Sequence, residues 1–242
     1  MANLAWTGRP RVAPCGLAAA RVWLLVAAPA VLYTVLLWLV LHIYPVVLRA
    51  LAVPRTPRTD TAVFLGGILL VEALAFALLL AWLRHEGRSL ADLGWGRSTT
   101  ASALGLGVAV GLGYAGLTLA NPAVGAHAAE LSLFKAWGVL IGVAGGTVEE
   151  IIFRGFVMSE LERWHVSAPA QVLASSVAFA AIHGYSSLWG SLFTAGLGAA
   201  LAGLYLFGRR SLTPTVLSHG LINLLIEPWL LLWYVSVFGV VR

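Results

Sequence analysis

The sequence predicts an all-α fold, a polytopic membrane helical bundle with about eight transmembrane helices. Three observations predict it. Hydrophobic residues make up 60% of the 242-residue chain and charged residues only 10%, against roughly 25% charged in an average soluble domain. Apolar runs approach or reach the length needed to cross a bilayer, about 20 residues, and recur from end to end. The arginines fall mainly in the short segments between those runs, the pattern that orients membrane spans. In a soluble protein a net charge of +5 would point to nucleic acid; arginines placed in this way point to the lipid bilayer, and nucleic-acid binding is not expected.

Residues 1–21 read as a cytoplasmic N-terminal tail carrying Arg9, Arg11 and Arg21, with the lone Cys15 an incidental thiol. The apolar run from Val22 to about Tyr44 exceeds the roughly 7 to 15 residues of a signal-peptide core, so it is expected to remain as a first span. Spans follow at about 61–83, 101–120, 136–157, 168–184, 187–207, 212–226 and 228–241. Pro-rich 53–57, 84–100 and 121–131, the last opened by an Asn-Pro turn signal, are the connecting loops. Glycines crowd 105–113 (GLGVAVGLG) and 196–203 (GLGAALAG), where small residues let membrane helices approach closely. With the N-terminus inside, ten Lys and Arg lie on inside segments (Arg9, Arg11, Arg21, Arg84, Arg88, Arg97, Arg163, Arg209, Arg210, Arg242) and four outside (Arg49, Arg55, Arg58, Lys135). That asymmetry puts both termini in the cytoplasm.

The fourth span contains GGTVEEIIFRGF, with Glu149, Glu150 and Arg154 in apolar sequence. Each charge at a helix centre costs roughly 2.5 to 3.5 kcal/mol, about 7 to 10 for three, while ten flanking apolar residues return about 5. Partner helices or a polar cavity must therefore accommodate this helix. Glu150 and Arg154 stand four apart, the spacing at which a Glu and a following Arg pair. Glu149 is turned by about 100° from Glu150 and about 140° from Arg154, which leaves it unpaired. An unpaired carboxylate in a low-dielectric pocket suits a general base acting on water.

Other spans supply further polar groups. FAAIH places Phe179 and His183 on one face of the fifth span, and HGLIN places His219 and Asn223 on one face of the seventh. An imidazole can orient a water or donate to an oxyanion, and an Asn amide is a neutral donor of the same kind. Base, imidazoles and donors drawn from three spans make a hydrolase constellation. The remaining polar groups carry less. Glu72 lacks an obvious partner, and His42 is expected near the interface. His85, His127 and His165 are expected in solvated loops. Glu227 is expected at a tight turn facing the interface. Trp6, Trp82, Trp95, Trp164, Tyr185, Trp189, Tyr205 and Trp229 read as interfacial anchors.

The motifs EEIIFR, FAAIH and HGLIN, in this order and on separate spans, resemble the three motifs EExxxR, FxxxH and HxxxN of the CAAX-protease and bacteriocin-processing (CPBP, Abi) family of intramembrane proteases. All seven marked positions match. The resemblance covers about residues 132–232. It implies a division into accessory helices over 22–131, about three of them, and a catalytic membrane core over 132–242. It also implies roles: Glu149 activates water with His183, His219 and Asn223 stabilise the oxyanion, and Glu150, Arg154 and Phe179 support the site. The family has been described both as metallo- and as glutamate-dependent. The sequence contains no HExxH; no cofactor is expected, and if a metal is used its ligands are Glu149, His183 and His219.

The reaction so implied is hydrolysis of a peptide bond in a membrane-associated protein or peptide, at the cytoplasmic membrane. Eukaryotic members of the family remove the last three residues of prenylated CaaX proteins. Fourteen Arg against one Lys, with abundant Ala and Gly, suits a GC-rich bacterium, where such substrates are not expected. Two other readings stay open: a proton- or ion-coupled transporter using the charged cluster as a relay, and a non-catalytic bacteriocin self-immunity protein on the same fold.

Overall fold

In a computed structural model, residues 16–183 and 188–238 are described; Cys15, Trp6, Tyr185 and the terminal arginines lie outside them. Within the described residues the chain is helical with no strand. The helices are α1 (Gly16–Ala50), α2 (Pro57–His85), α3 (Ala101–Leu119), a short α4 (Pro122–Gly125), α5 (Leu133–Glu150), α6 (Met158–Arg163), α7 (Ala168–Ile182), α8 (Leu188–Phe207), α9 (Thr213–Ile226) and α10 (Trp229–Phe238). A π-helical segment, Ile151–Val157, joins α5 to α6.

Apolar helices stand at all eight expected positions, but fewer of them are spans. Five are long and apolar enough to cross a membrane: α1 from Val26, α2, α3, the continuous Leu133–Arg163 rod and α8. α9 and α10 make a sixth if they are taken as one span bent by 59°. The expected count of about eight is thus corrected to five or six among the described residues. α9 has 14 residues and α7 has 15, short of the roughly 20 a full crossing takes. Pro228, lacking an N–H, stands at the break between α9 and α10. α1 departs from expectation in the opposite direction. It begins at Gly16, inside the expected tail, and runs through Pro29 and Pro45 to Ala50, since membrane helices tolerate proline where neighbours re-satisfy the backbone.

Inward faces follow helical spacing. On α1, Val26, Tyr33, Leu37, Tyr44 and Leu48 are buried while Val31, Val35, Trp38 and Ile43 face outward. On α2 the buried face runs through Leu65, Glu72, Ala75, Leu79 and Leu83. These two helices pack on each other; α2 also leans on α5, and α1 on α7. α9 lies between α3 and α5. Gly107 and Gly111 of α3 admit the Pro214 and Ser218 carbonyls so closely that a Cβ would come within 2.6 and 2.7 Å of them. The expected small-residue packing is therefore realised on α3.

The expected loop 84–100 is pinned to the α8–α9 turn. Tyr205 Oη donates to the Leu93 carbonyl (3.0 Å), Ser211 Oγ to the Arg97 carbonyl (2.7 Å), and the Leu212 N–H to the Gly94 carbonyl (3.2 Å). Ion pairs gather at this end: Arg88 and Arg163 with Glu160, and Arg210 with Glu162. Tyr205 and Trp229, expected as interfacial anchors, are each 1% exposed. Trp229 stacks on His127 at 5.0 Å, which is half-buried rather than solvated. Aromatic composition alone does not separate an anchor from a core residue.

Candidate active site

From Glu150 to Leu161, twelve consecutive residues are buried. A helix buried all round is enclosed by protein, and this is how the chain accommodates Glu150 and Arg154, while Glu149, just before the buried run, faces a cavity. α1, α7 and α8 surround the π-helical segment. Ser175 of α7 donates to the Phe153 carbonyl at 2.9 Å, meeting one acceptor of the irregular turn.

As the spacing predicts, Arg154 Nη1 donates to Glu150 Oε1 at 2.9 Å, and both side chains are 0% exposed. Arg154 Nη2 reaches the Gly198 carbonyl (3.2 Å), and its guanidinium lies 4.3 Å from the centre of the Phe179 ring. The same ring meets His219 edge-on at 5.8 Å and lies 4.8 Å from the ring of His183. Phe179 is thus the pivot between the ion pair and both histidines. Glu149 takes no part in the Glu150–Arg154 pair; it stands by His219, with the histidine Nε2 at 3.7 Å from Glu149 Oε2.

Each imidazole is held at Nδ1. In His183 this nitrogen is 2.9 Å from the Phe179 carbonyl, to which it donates, so in the neutral ring Nε2 is an acceptor. His219 Nδ1 lies 3.0 Å from Glu150 Oε1, so the supporting pair also orients His219. Asn223 Nδ2 donates to the Gly142 carbonyl at 2.6 Å, committing one of its two N–H groups and leaving the other.

Glycines of α5 make this approach possible. A Cβ on Gly146 would stand 2.9 Å from Asn223 Nδ2 and 3.2 Å from His219 Cδ2; on Gly142, 3.0 Å from Glu227 Cγ and 3.1 Å from Asn223 Cβ; on Gly138, 2.6 Å from Pro228. Gly138, Gly142 and Gly146 are four apart, as are His219 and Asn223 of α9 and Glu227, the residue that follows it. The two helices mesh as a ladder.

Glu149, His183, His219 and Asn223 all line one cavity of about 340 Å³, together with Phe179. Sequence reasoning missed two acids that line it too. Glu72, 3% exposed, has a partner after all: Tyr33 Oη donates to Glu72 Oε2 at 2.5 Å. A side pocket of about 30 Å³ is bordered by Tyr33, Glu72, Glu149 and His183, room for about one water. The helical phase of Glu72 with Leu65 and Leu79 was a signal, but in a helix that is apolar on every face it does not stand out. Glu227 turns into the cavity rather than towards the interface, in register with His219 and Asn223.

Glu149, His183 and His219 are the ligands expected from the sequence if a metal is used. Both Nδ1 atoms are engaged, and no group of three His, Cys, Asp or Glu suited to a metal ion occurs among the described residues. A histidine held at Nδ1 by a carbonyl or a carboxylate still presents Nε2 as a metal donor.

The family comparison decides the assignment. A family model described as type II CAAX prenyl endopeptidase Rce1-like matches residues 131–225. Residues 131–225 are similar to that family's domain. The matched residues contain all seven motif positions, which supports the resemblance to CAAX proteases. Tyr33, Glu72 and Glu227 lie outside the matched residues. No curated protein and no solved structure matches the chain.

Proposed function

We propose that the protein is an intramembrane endopeptidase that hydrolyses a peptide bond of a membrane-associated protein or peptide. The observation that carries this reading is the meeting of Glu149, His183, His219 and Asn223 at one cavity inside a bundle of membrane-spanning length. In the proposed reaction Glu149, free of the Glu150–Arg154 pair, takes a proton from water while the water oxygen attacks the substrate carbonyl carbon. His183 Nε2 accepts from the same water and orients it. The oxygen of the tetrahedral intermediate receives the second Asn223 N–H and the Nε2–H of His219, whose Nδ1–H stays on Glu150. Collapse breaks the C–N bond, and Glu149 returns its proton to the leaving amine. Every step uses side chains of this chain. In this reading α1–α3 are accessory, residues 132–242 form the catalytic core, and both termini face the cytoplasm of a bacterial cell.

General-base removal costs about 10²- to 10⁴-fold. Purified wild-type protein in liposomes is expected to cleave members of an apolar transmembrane peptide pool, followed by mass spectrometry, and Glu149→Gln is expected to lose that cleavage. Glu149→Gln cleaving at the wild-type rate would remove the water-activation mechanism. Preserved immunity in cells carrying Glu149→Gln would favour a non-catalytic role.

A further inference from the structure

The cavity that holds the reacting groups is unbalanced in charge. Glu72, Glu149 and Glu227 line it, and no Lys or Arg among the described residues does; the charge of Glu150 is met by Arg154. Tyr33 donates to Glu72, and His219 stands by Glu149. Glu227 is different. Its Oε2 is buried and has no hydrogen-bond partner among the described residues. Lys135 is close enough to act on it electrostatically, but the ammonium is directed to the Leu225 carbonyl at 3.0 Å. A desolvated carboxylate is costly unless something pairs with it, and the described cavity wall offers this oxygen no donor.

Position gives this acid a role. Glu227 follows His219 and Asn223 at intervals of four, and its N–H still bonds to the Asn223 carbonyl (3.0 Å), so its side chain continues the same row. Eight residues of helix place it about 12 Å from His219 along the axis. An extended peptide covers that distance in about three to four residues.

We propose that Glu227 is a specificity residue that receives the cationic side chain of a Lys or Arg in the substrate, about three to four residues from the bond under attack. The proposal rests on the peptidase reading for the scissile bond. A substrate with a free C-terminal carboxylate in this cavity would meet three carboxylates and no Lys or Arg, so the charge pattern favours an internal, basic segment instead.

The test measures binding, so that it stands apart from catalysis. Dansyl-labelled twelve-residue Leu/Ala peptide amides, each carrying one Lys, one norleucine or one Glu, are titrated against full-length Glu149→Gln protein in nanodiscs, with energy transfer from tryptophan as the signal. The Lys peptide should bind about tenfold tighter than the norleucine peptide, the size expected of a buried charged hydrogen bond, and the Glu peptide weakest. Adding Glu227→Gln should abolish the Lys preference with unchanged thermal unfolding, and Glu227→Lys should shift preference towards the Glu peptide. Equal binding of Lys and norleucine peptides, no measurable Lys-peptide binding, or a Lys preference that survives Glu227→Gln would overturn the proposal. Lys preference without cleavage by the wild type would keep Glu227 as the receptor of a basic side chain but remove the peptidase reading and with it the spacing to a scissile bond; cleavage without Lys preference would keep the peptidase reading and overturn the proposal.

Discussion

Gly146→Ala separates positioning from stability. A Cβ at this position would sit 2.9 Å from Asn223 Nδ2 and 3.2 Å from His219 Cδ2 and Cγ, so both groups must retreat by some tenths of an ångström. Alanine gains up to about 1 kcal/mol of helix propensity over glycine, while overpacking costs about 1 to 3 kcal/mol. The net loss of stability is then about 0 to 2 kcal/mol. Catalysis is less forgiving, since a displacement of about 1 Å costs on the order of 100-fold. Gly146→Ala should therefore unfold within a few degrees of wild type yet cleave about ten- to a hundredfold more slowly. The assay is cleavage in proteoliposomes of the peptide that the wild type cuts fastest, beside thermal unfolding by circular dichroism. Gly105→Ala and Gly116→Ala, where a Cβ would meet nothing within 4 Å, serve as controls and should keep full activity. Wild-type activity in Gly146→Ala, or a loss explained by unfolding, would refute the idea that α5 must be bare for α9 to set the site.

Two further substitutions probe the surroundings. Arg154→Ala strands the Glu150 carboxylate in protein and removes the contacts to Gly198 and Phe179; a loss of about 3 to 5 kcal/mol is expected, measured as reduced folded yield and a lower unfolding temperature. Arg154→Lys should recover only part of it, because a lysine cannot reproduce the planar contact with Phe179 and both hydrogen bonds. Tyr33→Phe leaves Glu72 Oε2 without its donor and should cost about 1 to 3 kcal/mol by thermal unfolding. If α1 and α2 take part in positioning Glu149, Tyr33→Phe will also slow cleavage at saturating peptide, whereas a purely structural hydroxyl will leave kcat unchanged.

Composition and spacing alone made the all-helical membrane class and the split of the charged stretch legible. Helix geometry dictates that residues four apart meet, so spacing by itself pairs Glu150 with Arg154, Phe179 with His183 and His219 with Asn223. It does not settle the number of spans, because whether an apolar run crosses alone or as one limb of a bent pair depends on what packs around its break. Nor does it contain the reach of Glu150 to His219, the partnership of Tyr33 with Glu72 or the inward turn of Glu227. Those join residues that are 69 or 39 positions apart, or depend on how closely α9 approaches α5. One-dimensional periodicity determines which residues share a face; the packing of one helix on another decides which faces meet, and hence what the cavity holds.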